Sequence, residues 1–321
     1  MKGICVIARK ELADHFGSAR FTILFLLILM MSIVMTYMVG TAMKTEMGGA
    51  LKPTFTFLLL FTLPGKFISL IEFFAIFGPI IGIILGFDAI NRERNARTLS
   101  KLASQPIYRD NIINGKFLAG LITIIILHLA ILLLISGLGL LLIGVVPSFD
   151  EVGRLAVYCV VSVLHTAFWL GIAIFFSVTF RSMATSSLAA IACWIFSLFF
   201  IPMAAGVIAD VFAPVEQSRM YHSPELFVKH EQVKKTIAMV SPMRLYSEAT
   251  SVILDPMRKT TQSVVLMGPF ERMSISRFQN PLPLGESFFI VLPLLITLVA
   301  ITAICFAVCY AIFMREEIRS T

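Results

Sequence analysis

The chain has 321 residues, of which 58% are hydrophobic and 14% charged, and its formal net charge is +7. A soluble globular domain carries about 25% charged residues, so this chain cannot cover itself with a surface that is compatible with water. The same numbers exclude an intrinsically disordered chain, a disulfide-stabilised scaffold and a nucleic-acid-binding domain. The composition therefore predicts an all-α integral membrane protein that crosses the bilayer several times.

The first 20 residues have the pattern of a basic amphipathic helix. Ile4, Ala8, Leu12 and Phe16 repeat every four residues, and charged residues occupy much of the remaining surface. Such a helix lies in the plane of the membrane interface and leads into the first span. The alternative is a solvated basic tail. The apolar run that follows is too long for a cleaved signal peptide, and no small-residue cleavage site follows it.

Six apolar stretches are long enough to cross about 30 Å of hydrocarbon, which takes roughly 20 residues. They cover residues 21–43, 67–87, 117–145, 155–180, 184–212 and 287–314. A shorter apolar stretch at 55–63 is interpreted as an interfacial or re-entrant lead-in to the second span. The sequence thus predicts spans one to five within 21–212, a sixth span at 287–314 and a cytoplasmic tail at 315–321.

Helix breakers interrupt several of these spans. Pro79 predicts a kink in the second span, and Pro202, Gly206 and Pro214 predict a broken or re-entrant end to the fifth. Interrupted helices are tolerated at membrane depth only where protein or a water-filled cavity satisfies the freed backbone groups, as is expected in a transporter. Kinks are also common in helix bundles that transport nothing.

Lys and Arg are distributed unequally between the two sides of the predicted membrane. Thirteen of the 26 cations lie in segments on the same side as the N-terminus, and four lie in the short segments of the other side. Because short cytoplasmic segments carry the excess of positive charge, we expect both termini in the cytoplasm and the chain in the plasma or inner membrane. The remaining cations lie in a long segment, which does not indicate orientation.

That long segment, residues 213–286, is the one candidate soluble subdomain and is expected to be extracytoplasmic. Its seven prolines predict short elements, with helices at 231–240 and 243–254. It is too small for a catalytic core of its own. Its apolar side, expected to dock on the membrane domain, consists of Ile237, Val240, Met243, Leu245, Val252 and Leu254.

The sequence carries no recognised catalytic signature. Gly115-Lys116 would complete a phosphate-binding loop only with Gly in place of Asp110, and zinc-protease, Cys-x-x-Cys and nucleophile-elbow motifs do not occur. We therefore predict no catalytic residue, no metal site and no directly bound cofactor. Glu72 is an acidic residue inside the second span. It is a candidate for the translocation pathway, for a bond across the bundle or for a position among the headgroups.

The connection between the second and third spans, at about 88–116, is the most informative stretch and is called the connector below. It predicts a helix that extends beyond the membrane, followed by a short amphipathic helix that Pro106 stops. Glu93 and Arg97 have the i,i+4 spacing of a helical ion pair. A basic connector of this kind rests on anionic lipid or docks in a groove of a cytoplasmic partner.

The connector resembles a signature of the ABC-2-type permeases, the membrane subunits of ATP-binding-cassette exporters. Arg97 takes a position at which this family usually has Gly, and we expect the helix to continue through it. Residues 8–12 resemble the family's N-terminal start, and residues 241–250 resemble the segment before its last span. The matching connector residues are Glu93, Arg94, Thr98, Leu99, Leu102, Gln105, Pro106, Arg109, Gly115 and Lys116.

The resemblance implies the fold of an ABC-2, or type V, exporter: six transmembrane helices, an N-terminal interfacial amphipathic helix and a cytoplasmic coupling helix in the connector. The coupling helix would contact a separate cytoplasmic ABC ATPase subunit, on which ATP and Mg²⁺ bind. Two permease copies, expected to be a homodimer in membrane lipids, and two ATPases would form the working unit. The residues expected to contact the ATPase are Glu93, Arg94, Arg97, Thr98, Leu99, Leu102 and Pro106.

The leading hypothesis is therefore a permease subunit that forms the pathway for ATP-driven export and is not itself an enzyme. The alternative is a non-transport membrane scaffold or sensor whose segment 213–286 recognises an extracytoplasmic partner. Co-purification distinguishes the two, because a permease is expected to retain a chain that bears a phosphate-binding loop.

Overall fold

The computed structural model describes residues 2–46, 55–63, 68–98, 108–214, 224–258 and 280–315. Within these ranges the regular elements are helices, and no β-strand is formed. A π-helical turn lies at Phe196–Phe200. In chain order the helices are α1 (Lys2–Phe16), α2 (Ala19–Glu46), α3 (Thr56–Thr62), α4 (Leu70–Gly86), α5 (Asn91–Asn95), α6 (Arg109–Ile143), α7 (Phe149–Thr179), α8 (Met183–Ile195), α9 (Ile201–Phe212), α10 (Pro224–Ala238), α11 (Pro242–Leu254) and α12 (Leu284–Arg315).

Six helical units in this part of the chain are long and apolar enough to cross a membrane, and they are numbered span one to span six. They coincide with the six stretches predicted from the sequence, which confirms the all-helical fold with six spans. The units are Ala19–Thr45, Leu70–Asn95, Arg109–Ile143, Phe149–Thr179, Met183–Phe212 and Leu284–Arg315.

The two ends of the bundle are distinguished by the side chains that meet there. At one end, Arg20 of α2 lies 3.3 Å from Asp88, which follows α4. This is termed the connector end because the connector begins there. At the opposite end, the Arg154 guanidinium of α7 donates to the Ser287 hydroxyl of α12 at 3.2 Å. This is termed the far end.

Spans two and four pack closely at the centre of the bundle. A Cβ atom at Gly82 of α4 would lie 2.5 Å from the Thr166 carbonyl oxygen of α7, so only glycine allows this approach. α4 begins with a capping box in which Ser69 and Glu72 satisfy each other's backbone N–H groups. The sequence thus fixes both the start of α4 and its spacing from α7.

Span five is interrupted near the position that the sequence predicts. In the π-helical turn the Ile201 N–H donates to the Phe196 carbonyl, and Pro202 lies in the first turn of α9. Proline has no N–H for the α-helical ladder, and the extra residue of the π-turn accommodates this break. The helix is thus distorted near Pro202, but the predicted broken or re-entrant end is not found, because the span continues as a helix to Phe212.

The apolar stretch at 55–63 forms α3, which is not one of the six spans. Phe57 and Phe61 are fully buried, and the Phe57 N–H donates to Glu151 Oε1 at 3.0 Å. The Phe61 and Tyr158 rings lie 5.8 Å apart. α3 therefore enters the bundle from the far end, which agrees with the re-entrant form of the predicted lead-in.

α11 departs from the predicted soluble subdomain. Nine of its thirteen residues are buried. Ser241, just before α11, lies 3.3 Å from Ser197 in the middle of span five, whereas the Ile253 carbonyl accepts from Arg154 at the far end. α11 therefore runs from mid-bundle to the far end, embedded among the spans. Its predicted helical character is confirmed, but Val240, predicted on the docking side, is exposed.

α1 packs on the start of α6. A Cβ atom at Gly115 of α6 would lie 2.8 Å from the Ile7 side chain, so the glycine permits this contact. The buried face of α1 consists of Ile7, Ala8 and Glu11, whereas Phe16 of the predicted four-residue repeat is exposed. The helix is where the sequence predicts it, but its buried face is turned toward α6 and carries a carboxylate.

Candidate functional site

The connector is described from the end of α4 through α5 to Thr98, and again from residue 108, where it leads into α6. The predicted ATPase contacts Leu99, Leu102 and Pro106 lie outside the described residues. Four predicted residues lie within them: Glu93, Arg94, Arg97 and Thr98.

Glu93 belongs to a group of charged side chains drawn from three elements. Its Oε1 lies 2.6 Å from Lys10 Nζ of α1 and 3.7 Å from Lys116 Nζ of α6. Lys116 Nζ lies 2.7 Å from Glu11 Oε1 of α1, and the Thr98 hydroxyl donates to the Glu93 carboxylate. Lys10, Glu11, Glu93 and Lys116 are termed the charge cluster. It joins the connector to α1 and to span three.

Three members of the charge cluster are almost completely buried: Glu11 and Glu93 are 5% exposed and Lys116 is 3% exposed. Burial alone would raise the pKa of Glu11, but attraction and a hydrogen bond from Lys116 outweigh it and hold this pKa below its usual value. Burial likewise opposes the charge on Lys10, but the hydrogen bond to Glu93 outweighs it and the pKa of Lys10 is raised. Glu11 and Lys10 therefore stay charged at neutral pH.

Arg97 marks the end of the helical part of the connector. α5 ends at Asn95, and Arg97 has a φ of 55°, in the left-handed region that favours glycine. The backbone thus has the conformation expected for the Gly that the ABC-2 signature usually has here. Two predictions are wrong: the helix does not continue through Arg97, and Glu93 pairs with Lys10 whereas the Arg97 side chain is exposed.

The other side of the connector is bonded to the end of span four. Ser177 Oγ accepts from the backbone N–H groups of Ile90 at 3.0 Å and Asn91 at 3.2 Å. Arg94 Nη1 donates to the Phe180 carbonyl at 3.3 Å. The first turns of the connector are therefore held between the charge cluster on one side and the α7–α8 turn on the other.

Glu72 lies at the start of α4, at the far end. Its Oε2 accepts from the Ser69 N–H at 2.9 Å, and its own N–H donates to Ser69 Oγ at 3.2 Å. The side chain is exposed and bonds within its own helix, so helix capping accounts for its presence. Its role in a translocation pathway stays a prediction.

A row of polar side chains lies inside the bundle between span three, span four and α11. His128 Nε2 lies 3.3 Å from Thr166 Oγ1, and the Tyr246 hydroxyl lies 3.1 Å from Ser162 Oγ and 3.4 Å from the Tyr158 hydroxyl. These groups satisfy one another across helices. Over the described ranges, no three His, Cys, Asp or Glu side chains are placed to hold a metal ion together.

The partners of Glu93 are not predictable from spacing alone. Lys10 and Glu11 lie in the segment that resembles the family's N-terminal start, and Lys116 ends the connector signature. The contact between Glu11 and Lys116 joins positions 105 residues apart. The sequence does indicate that Lys116 has an acidic partner, because a cation at the start of a long apolar span requires one. The N-terminal segment therefore meets both Glu93 and Lys116 of the connector signature at one site.

Six spans, a first helix bonded to span three, and a connector held by buried ion pairs define a multi-pass helical membrane protein. The chain matches the profile described as ABC-2 family transporter protein over residues 5–318, and it belongs to this family. It is similar to the probable ABC transporter permease protein NosY of Pseudomonas aeruginosa strain PAO1, with 30% identity over 151 residues. This similarity covers 47% of the present chain and 49% of the relative, about half of each.

Proposed function

We propose that this chain is the permease subunit of an exporter driven by a separate ABC ATPase. Membership of the ABC-2 family and the similarity to a probable ABC transporter permease support the permease assignment. ATP and Mg²⁺ bind to the ATPase subunit, and this chain contributes the pathway. The working unit contains two copies of this chain in the plasma or inner membrane, with both termini and the connector in the cytoplasm.

The observation that carries the proposal is the attachment of the connector on two sides. Separating Glu93 from Lys10 and Lys116 would leave its buried carboxylate without a cation, which makes the charge cluster resistant to deformation. The backbone of the connector is bonded to Ser177 on the opposite side. A force that the ATPase applies to the connector is therefore passed on to the spans.

Within this proposal the predicted contact residues divide into two groups. Glu93, Arg94 and Thr98 position the connector. Glu93 bonds to Thr98 and to α1, and Arg94 bonds to the Phe180 carbonyl. The surface that touches the ATPase consists of the exposed Arg97 together with Leu99, Leu102 and Pro106.

The test is co-purification of the tagged chain from membranes of the organism that produces it, with the retained chains searched for one that bears a phosphate-binding loop. Leu102→Asp is compared with Phe149→Asp, which makes the same kind of change at a side chain that is 96% exposed at the far end. We expect the wild type and Phe149→Asp to retain the ATPase, and Leu102→Asp to insert into the membrane but lose most of it. A wild-type chain that retains no protein with a phosphate-binding loop would contradict the proposal.

A further inference from the structure

Span five buries a narrow row of small residues, and beside this row Cys193 and Trp194 pack against the cluster around Trp169 of α7. Among the six spans of the described ranges it has the smallest buried share, and its large apolar side chains mostly face away from the bundle. A helix with so few buried contacts can move as a unit at low cost. Its buried residues are Ser186, Ala190, Ser197, Ala205 and Ala209.

The first attachment of span five is to the connector. The Ser186 hydroxyl donates to the Phe87 carbonyl, at the end of α4, at 2.8 Å. Asn91 Nδ2 donates to the Ser182 carbonyl at 3.4 Å. Ser186 and Asn91 are both completely buried. The start of α8 is therefore tied to the same turns of the connector that the charge cluster holds from the other side.

The second attachment lies at the π-helical turn. The Ile201 N–H donates to the Phe196 carbonyl, and the next bond of that π-type register would require an N–H from Pro202, which has none. The Ser197 carbonyl is instead within 3.4 Å of the Ser241 hydroxyl, which donates to it. Ser241 precedes α11 and makes no side-chain cap for it. Its hydroxyl is therefore committed to span five.

We propose that Ser186 and Ser241 are positioning residues that make span five the link between the connector and α11. The inference rests on the proposed function, because the ATPase supplies the movement of the connector. Ser186 passes that movement to α8, and Ser241 passes it from the π-turn to α11. α11 in turn ends at Arg154, at the far end. Movement at the connector end thereby reaches the far end through two serine hydroxyls.

The test uses the complete complex of permease and ATPase in lipid nanodiscs, and it measures amide hydrogen exchange by mass spectrometry. Exchange is compared between the nucleotide-free complex and the complex trapped with ATP and vanadate. The wild type is expected to change its exchange both in residues 87–98 and in residues 241–254. In Ser186→Ala and in Ser241→Ala, the change in 87–98 persists, whereas the change in 241–254 falls by at least about threefold.

The matched control is Ser162→Ala. Ser162 is a buried serine of α7 whose hydroxyl also bonds to α11, through Tyr246, but it does not belong to span five. We expect this variant to respond as the wild type does. A full response of 241–254 in Ser186→Ala and Ser241→Ala, or an equal loss in Ser162→Ala, would overturn the inference. So would a wild-type complex that hydrolyses ATP with no change in 241–254. A complex that does not assemble would instead contradict the proposed function.

Discussion

Among the described residues, each end of the bundle buries one cation, and the two cations are bound in different ways. Lys116, at the connector end, pairs with carboxylates of two other elements, Glu11 at 2.7 Å and Glu93 at 3.7 Å. Arg154, at the far end, is completely buried, and its one carboxylate partner in the described ranges is Asp150, at 2.7 Å on its own helix. Its other partners are neutral.

The neutral partners of Arg154 give the far end a fixed geometry. Nη1 donates to the Ile253 carbonyl at 2.8 Å and to Ser287 Oγ at 3.2 Å, and Nη2 donates to the Leu282 carbonyl. A planar guanidinium meets all these acceptors at once, whereas an ammonium is a point charge. The far end therefore depends on the shape of its cation, whereas the connector end depends on the sign of its charges.

The largest effect is expected from Arg154, where a change of shape should be as harmful as a change of charge. Arg154→Leu leaves two carbonyls and Asp150 without a buried donor, which costs about 3–5 kcal/mol. Arg154→Lys keeps the charge but loses the planar guanidinium, and we expect it to lower the free energy of unfolding by about 2–4 kcal/mol. Thermal melting of the detergent-purified chain measures both. Wild-type melting of Arg154→Lys would show that charge alone holds the far end.

The next largest effect is expected at the connector end. Reversing either Lys116 or Glu11 should lower stability, and reversing both should restore part of it. Lys116→Glu and Glu11→Lys each place like charges together in a buried site. We expect each to lower the free energy of unfolding by about 3 kcal/mol. The double variant restores the Lys116–Glu11 attraction with reversed signs. The recovery is partial, because a glutamate at position 116 also faces Glu93 and a lysine at position 11 also faces Lys10.

An exposed pair provides the control for this exchange. Lys234 and Glu231 lie 3.9 Å apart on α10 with both side chains partly exposed, so reversing them singly should change stability by less than about 1 kcal/mol. A double variant at positions 11 and 116 that melts no higher than the sum of its single variants predicts would contradict charge pairing as the basis of the cluster.

A smaller effect follows from the pKa of Glu11, which lies below the usual value of 4.5 in the folded chain. A carboxylate with a depressed pKa contributes stability that is present above its unfolded pKa and is lost as pH falls through the folded pKa. Wild type should therefore melt above Glu11→Gln at pH 7, and this gap should narrow below about pH 4.5. A difference in melting temperature between wild type and Glu11→Gln that is constant from pH 7 to pH 3.5 would contradict a depressed pKa of Glu11.

The number of spans was predictable because each span must be apolar over a fixed length whatever its neighbours are. The position of α11 was not. Its sequence alternates polar and apolar residues, as a docked soluble helix does, and its burial depends on hydroxyls such as those of Ser162 and Ser197, which bond to it from other helices. Interior polar residues that bond across helices make a membrane-embedded segment look soluble.

The site was predictable as a set of segments but not as a set of contacts. Resemblance singled out Glu93, residues 8–12 and Lys116, and the structure brings them together. The i,i+4 rule paired Glu93 with Arg97 because it assumes a continuous helix. Tertiary ion pairs and the left-handed residue at the end of α5 override that local preference.

The smallest effect is expected at Arg97, where a change that removes a side chain should stabilise the connector. A non-glycine residue at a φ of 55° is strained, and glycine relieves this at the cost of extra freedom in the unfolded chain. We expect Arg97→Gly to melt higher than Arg97→Ala by the equivalent of about 0.5–1 kcal/mol. Both variants remove the same exposed guanidinium, so their difference reports the backbone alone. Equal melting would mean that the left-handed conformation costs the chain nothing, whereas a higher value for Arg97→Ala would contradict that conformation at the end of α5.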